Sequence, residues 1–499
     1  MMSLGLLESA IDPARRRFRR RLLALAAVAC LAAVGCASIE QPQRTASLPS
    51  AASVAPSVAG LEPNSERKRL VDTFGGEYHD APTESYLNDV LAKLAPASGA
   101  AGEPYRVTLL DSPVVNAFAL PSGDIFMTRG LIALADDTSE IAAVMAHEIA
   151  HVTARHAAQR AEFERTAALF TRVNSQVLRH AEAEDELEAR SKLSIARFSR
   201  QQEFEADQIG IRTIAKAGYD PYGAARFLNS LGAWSLLTTS VSGAGAADKP
   251  DMMATHPSTP ERIAQATAEA RELDPPGQGA RGRETWLAAI DGLAFGEDPA
   301  QGIVRGTSFI HPKLGFAFEA PGGFTLENQT SALIGVGQAG GVALRFDSIA
   351  IADSTPVAAA IQSGWIDGVK TTAVETMQIG GLEAATAVAK GDQWSFRLGA
   401  IRLNGRLYRL IFAAHTLSPA VDAEFLKSLQ SFHLINAEDS ALAAAQSVRL
   451  VAAGPADTSD TLAARMAFLP RSLDQFLILN GLERGQALVQ GQRYKVIAR

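Results

Sequence analysis

The run Ala146-His147-Glu148-Ile149-Ala150-His151 constrains this chain more than any other stretch. On an α-helix, residues i and i+4 lie ~40° apart, so His147 and His151 point the same way and can share one metal ion. Glu148 lies ~100° round from His147, within reach of a water beside that metal, where a carboxylate can take the water's proton. Ile141, Val144, Met145, Ile149 and Val152 flank the pair and supply the apolar surface of a buried helix. In a chain of 499 residues with nine histidines, a chance match to H-E-x-x-H is on the order of one in a hundred. The alternative is a structural helix carrying two hydrogen-bonded histidines.

A tetrahedral catalytic metal needs a third protein ligand and an open position. His156 follows His147 at ~180° round a continuing helix, so it is expected to face away and make a structural hydrogen bond. Downstream, the helical run from Gln201 to Gly210 offers two glutamates. Glu203 and Asp207 stand i, i+4 on one face, whereas Glu205 is ~200° from Glu203 and has Ile209 at its own i+4. One carboxylate can bind zinc while the next holds the free N–H of a histidine ligand. That division assigns Glu203 as the ligand and Asp207 as its support; the plainer alternative is a solvated acidic helix face.

The rest of the chain falls into further segments. Composition excludes wholesale disorder, with 47% hydrophobic and 20% charged residues, and a net charge of −7 without a long basic run past the N-terminus argues against a nucleic-acid partner. The basic cluster Arg15 to Arg21, the apolar run Leu22 to Gly35 and then Cys36 read as a signal segment, too short for the ~20 residues a membrane-spanning helix needs. Ala33-Val34-Gly35-Cys36 resembles a bacterial lipobox, which implies lipidation at Cys36; an ordinary cleaved signal or a retained anchor are the alternatives. Residues 1–35 hold six arginines against Glu8 and Asp12, a net +4, so the remainder carries −11. With Cys30 and Cys36 the only cysteines, an exported mature chain has no intramolecular disulfide. Residues 37–64, rich in Ala, Ser and Pro, read as a flexible tether, and 274–302 as a linker.

Between them, residues 65–273 read as mainly helical with a small sheet. Tyr105 to Leu110, Val114 to Leu120 and Asp124 to Thr128 are expected as strands, Ser139 to Phe163 and Glu186 to Ala217 as helical patterns, and Ser242 to Pro250 as a loop. The motifs here resemble a known family. His147-Glu148-x-x-His151 followed by Glu203-x-x-Ala206-Asp207 is similar to the zinc metallopeptidases related to HtpX and the CAAX prenyl proteases. Asn116-Ala117-Phe118-Ala119-Leu120-Pro121-x-Gly123, Tyr219-Asp220-Pro221 and Thr255-His256-Pro257-x-x-x-Glu261-Arg262 also resemble the exported, BepA-type branch. The resemblance implies that His147, His151 and Glu203 hold one Zn2+ and that Glu148 is general base and acid. It also implies a substrate-facing edge strand at Asn116, Ala117, Phe118 and Ala119. For His256 two readings stand: a histidine at the start of a helix capped by Ser258-x-x-Glu261, or a site histidine that is a displaceable fourth ligand or an oxyanion stabiliser.

Residues 303–436 read as a small α+β domain, clearest in the alternating runs from Ser395 to Ala413 joined by Asn404-Gly405 and in a helix from Pro419 to Phe432. Gly315-Phe316-x-Phe318 loosely suggests a domain of the PsbP or Mog1 sort, and His311, His415 and His433 carry no metal spacing. Residues 445–499 resemble a LysM module of βααβ order, which implies peptidoglycan binding. The expected protein is thus α+β and multidomain, a zincin-type catalytic domain followed by two small units. The expected function is that of an exported, periplasm-facing zinc endopeptidase, lipid-anchored to the outer membrane and acting on unfolded or misassembled envelope proteins. The alternative is a latent-protease assembly factor or a glycan-binding scaffold.

Overall fold

The computed structural model describes residues 63–99, 102, 104–162, 199–242, 252–329, 332–338, 340–366 and 369–499. The expected signal with Cys36, the tether up to residue 62, the charged stretch 182–190 and the loop 243–250 lie outside them. Among the described residues no helix is long and apolar enough to cross a membrane.

Helices α1 (Pro63–Thr73) and α2 (Ala81–Ala97) lead into strands β1 (Arg106–Leu110), β2 (Ala117–Ala119) and β3 (Asp124–Thr128). β3 is central, pairing parallel with β1 and antiparallel with β2, which leaves β2 at an edge. Among the described residues there follow α3 (Arg129–Leu134), α4 (Thr138–Thr153), α5 (Arg200–Lys216), α6 (Gly223–Ser242), α7 (Met252–Thr255) and α8 (Pro260–Leu273), with a further helical stretch over 156–162. Helix α4 starts where Asp137 accepts a hydrogen bond from the Glu140 amide, an N-cap that satisfies one of the first-turn donors. Every residue from Thr138 to His151 is buried, so α4 is the central rod of the region. Its alanines and the glycine facing them let α5 come close. A Cβ built on Gly210 would lie 3.1 Å from the His147 nitrogen, tighter than packing normally allows. The α8 cap sits one residue later than expected. Thr259, not Ser258, accepts from the Arg262 amide, because Pro260 fits the first helical position; Ser258 Oγ donates to Leu228 O instead.

The stretch expected as a linker folds. It forms α9 (Arg283–Ile290), whose Trp286, Leu287 and Ile290 are buried in the apolar core around α4, and the short strand β4 (Ala294–Phe295). Its apolar stripe is only two turns long, too short for periodicity to stand out beside the prolines and glycines before it.

The middle region builds two sheets. Strands β5 (Ile303–Arg305), β6 (Ser308–His311) and β7 (Phe316–Glu319) begin the smaller one. The larger holds β8 (Phe324–Asn328), β9 (Leu333–Gly337), β10 (Val342–Ala350), β11 (Lys370–Thr371), β12 (Glu375–Ile379), β13 (Leu382–Lys390), β14 (Ser395–Leu403) and β15 (Arg406–Ala414), with α10 (Val357–Gln362) against it. The β14–β15 turn places Asn404 at φ 50° and Gly405 at φ 71°, the left-handed pair that a two-residue hairpin requires. Helix α11 (Pro419–Gln430) and strand β16 (His433–Leu434), paired with β7, complete the region.

After α12 (Ala437–Leu442), the elements β17 (Gln446–Ala452), α13 (Ser459–Ala463), α14 (Ser472–Leu479) and β18 (Arg493–Ala498) give the expected strand–helix–helix–strand order. This unit is continuous with the catalytic core. β17 pairs with both β18 and β4, and Val448, Leu462, Met466, Phe476, Tyr494 and Ile497 join one apolar cluster with Ile141, Val144 and Met145 of α4. Lys495 is fully buried and donates to the carbonyls of Ala133, Leu134 and Ala135 at 3.0, 3.3 and 2.7 Å, capping the end of α3. Phe476→Ala, at a position with 0% exposure, is expected to cost ~3–5 kcal/mol. Urea unfolding followed by tryptophan fluorescence and circular dichroism should then show the catalytic region and the C-terminal unit shifting together; separate transitions, with the catalytic one unmoved, would refute the shared core.

Candidate active site

Helices α4 and α5, held close at Gly210, bring four expected residues together. His147 and His151 turn their Nε2 atoms toward each other at 3.0 Å. Glu203 enters from α5, its Oε2 3.6 Å from His147 Nε2 and its Oε1 3.5 Å from His151 Nε2. His256, which follows α7, adds a fourth donor: its Nδ1 lies 3.2 Å from His147 Nε2 and 3.0 Å from Glu203 Oε1. All four residues are buried and their donor atoms lie within 4.8 Å of one another. Four donors arranged tetrahedrally at ~2.0–2.1 Å from an ion stand ~3.3 Å apart, and the observed separations bracket that value.

The charges make the same case for a dication. Glu148, Glu203 and Asp207 are all buried, and Arg262 is the buried cation among them. Ionised, these four groups leave two negative charges over, which a low-dielectric site does not tolerate unbalanced. Burial pushes the carboxyl of Glu148 up to about 8, with the repulsion of Glu203 set against the pull of His147 and Arg262. Its Oε1 has no hydrogen-bond partner among the described residues and faces His256 Nε2 at 3.8 Å. Burial and the neighbouring His147 and His256 hold His151 far below the usual imidazole range, which leaves it neutral as a ligand must be. Imidazole nitrogens with a carboxylate are a donor set suited to zinc.

Supporting residues orient these donors. His147 Nδ1 donates to Asp207 Oδ1 at 3.0 Å, which leaves Nε2 bare toward the cluster. Asp207 in turn takes two hydrogen bonds from Arg262, both 2.7 Å. Burial works to raise Asp207, but Arg262 and His147 outweigh it and hold the carboxyl at about 2. The same guanidinium reaches Glu203 Oε2 at 2.8 Å and the carbonyl of Pro257, next to His256, at 3.0 Å. Arg262 belongs to a motif quoted above, but nothing in its spacing says that it grips both carboxylates. At the other end of α4, Arg226 ties Asp220 at 2.8 Å to the cap Asp137 at 3.2 Å, which gives Tyr219-Asp220-Pro221 its part in the site.

One expectation is overturned. His156 does not face away. Helix α4 ends at Thr153, and Arg155 adopts a left-handed φ of 57°, so the ~100° step per residue is broken before a new helical stretch begins at His156. His156 is fully buried, with its Nδ1 2.9 Å from His151 Nδ1 and its Nε2 3.4 Å from Glu205 Oε2.

Strand β2 runs beside α4. Asn116 O accepts from the Thr128 amide and the Leu120 amide donates to Asp124 O, so Asn116 and Leu120 bond inward to β3. By strand alternation the backbone groups of Ala117 and Ala119 face the open edge, and the Ala119 amide reaches the Glu148 carboxylate. Phe118 stacks on Phe126 at 5.0 Å and fixes the strand. Just ahead of it, the Met252 amide of α7 donates to Val115 O at 3.0 Å, which anchors the segment bearing His256 against the strand's approach.

Comparison with known proteins agrees with this geometry. Residues 81–270 match the model of Peptidase family M48. The chain is 29% identical to the "Beta-barrel assembly-enhancing protease" of Escherichia coli over 40% of its length and 41% of that protein's. It is 31% identical to the "Mitochondrial metalloendopeptidase OMA1" of Schizosaccharomyces pombe, over 39% of this chain and 56% of that one. The chain thus spans about two fifths of the length of the first of these relatives. A solved cyanobacterial PsbP structure superposes at a TM-score of 0.23 and 14% identity, over 27% of this chain and 95% of its own, a value on which no conclusion rests.

Arg262→Met keeps most of the side chain's bulk and removes its charge. Leaving Glu203 and Asp207 without their guanidinium is expected to destabilise the metal-free protein by ~3–5 kcal/mol, measured by urea denaturation in the presence of a chelator. An unchanged midpoint would show that solvent already screens these carboxylates.

Proposed function

We propose that this M48 metallopeptidase domain works as a zinc-dependent endopeptidase of the bacterial cell envelope, acting on unfolded or misassembled envelope proteins. The observation that carries the reading is the convergence of His147, His151 and Glu203 on one point, with the buried Glu148 beside it. Bound there, zinc would supply Lewis acidity to a peptide carbonyl and to a water. Glu148, held on the Ala119 amide, takes the proton of that water and afterwards delivers it to the leaving amine. Asp207 and Arg262 keep the histidine and glutamate donors oriented throughout. The outward backbone groups of Ala117 and the carbonyl of Ala119 receive the substrate as an added strand, a mode that selects extended chains over folded ones. The name of the similar Escherichia coli protease supports envelope proteins as the substrate class. Export, a lipid anchor at Cys36, and glycan contact through the LysM-like residues 445–499 belong to the same reading.

His256 favours a second feature, latency. Its Nδ1 stands among the zinc donors and its Nε2 beside Glu148, so it fills the position that a catalytic site keeps open. The protein rests in a closed form and becomes active when the segment at 252–256 moves aside.

Full-length protein is expected to hold about one zinc per chain and to cleave casein, while Glu148→Gln keeps the zinc and loses ~10²–10⁴-fold in cleavage rate. Absence of zinc from the purified protein would overturn the peptidase reading and leave the scaffold alternative. His256→Ala should raise casein cleavage with zinc retained; a fall to the Glu148→Gln level would instead make His256 a participant in the chemistry.

A further inference from the structure

The two histidine donors of the candidate site are oriented in different ways. His147 gives its Nδ1–H directly to a buried carboxylate, Asp207. His151 meets an imidazole. For His151 Nε2 to present a lone pair to the cluster, its proton must sit on Nδ1, and Nδ1 lies 2.9 Å from His156 Nδ1. Two nitrogens at that distance share one proton, so His156 Nδ1 is the bare acceptor and its own proton is on Nε2. That proton points at Glu205 Oε2, 3.4 Å away, whose side chain is 49% exposed. The backbone is bent to make this arrangement. Arg155, a residue with a Cβ, holds a left-handed φ of 57° immediately before His156, where a helix end more often places glycine.

We propose that His156 and Glu205 form a positioning chain that fixes the tautomer and ring orientation of His151 as a zinc ligand. The chain deepens the proposed zinc site and rests on it. It gives His156 a task other than filling the core and Glu205 one other than solvating a helix face. It also makes the two ligand arms unequal: the His147 arm ends on a carboxylate clamped by Arg262, the His151 arm on one that solvent can reach. Outer partners of this kind are worth ~10–100-fold in metal affinity.

The test uses the full chain, with zinc affinity measured by competition against a chromophoric chelator and geometry read from the visible spectrum of the cobalt(II)-substituted protein. His156→Leu fills similar space and accepts no hydrogen bond, so zinc affinity is expected to fall ~10–100-fold with a shifted cobalt spectrum. His156→Gln offers a carbonyl oxygen to the His151 Nδ1–H and is expected to recover most of the affinity and the wild-type spectrum. Glu205→Met, at a half-exposed position that folding tolerates, should weaken zinc binding several-fold in the same direction. Equal losses in His156→Leu and His156→Gln would reduce His156 to a packing residue and overturn the proposal, as would wild-type affinity in Glu205→Met. Tight zinc binding by the wild type alongside unchanged affinity in every variant would sink the chain and spare the site. A wild type that binds no zinc would sink the site itself.

Discussion

Buried charge is the constraint on which this molecule is organised. Three carboxylates converge on a space closed to water, each costly to ionise there, and a single guanidinium lies between them. Arg262 touches Asp207, Glu203 and the carbonyl beside His256, so one side chain fixes the relation between α5, α8 and the segment that follows α7. Burial raises the Glu148 carboxyl to about 8, while Arg262 and His147 hold Asp207 at about 2, so the carboxylates of one cluster are driven apart. A protein that kept only a structural helix with two satisfied histidines would have no reason to assemble this much uncompensated negative charge.

A second condition is the enclosure of α4. A helix buried on every side needs partners all round, and the described residues up to α8 share that task with later ones. That later wall comes from α9 and from the C-terminal βααβ unit, whose Phe476, Tyr494 and Ile497 share the cluster with Ile141 and Met145. Lys495 closes the open carbonyl end of α3, with its charge near Asp136 and Glu140 at the start of α4. This unit is packed into the body that carries the catalytic helix.

Much of this was legible in the sequence. The cluster was readable because helical spacing is rigid: His147 and His151 on one helix, and Glu203 with its supporting neighbour Asp207 on the next, fall on faces that arithmetic can place. Strands β1 to β3 and the Asn404-Gly405 hairpin were readable because turn residues punctuate them. What stayed hidden depends on where a regular element stops or on long-range packing. His156 was misplaced because its angle was counted along a helix that had already ended, and an arginine in the left-handed region leaves no mark in the sequence. Arg262 was visible as a motif letter, but its three partners come from α5 and from its own loop. The stretch at 283–295 was taken for a linker because a two-turn helix is too short to show a period, though Trp286 is wholly buried.

The pairing of β4 with β17 bears on the chain's architecture as a whole. Phe295 and Gln446 are register partners, so the backbone leaves the catalytic body and returns to it at the same place. Everything from residue 296 to 445 is one excursion from a hairpin stem, closed at its base by a strand pair. Closure entropy grows only slowly with the length of such a loop, so the excursion burdens the stem little, whatever its size. It also means that the middle sheets stand outside the apolar core that the two flanking segments build together, as an insert with cores of its own.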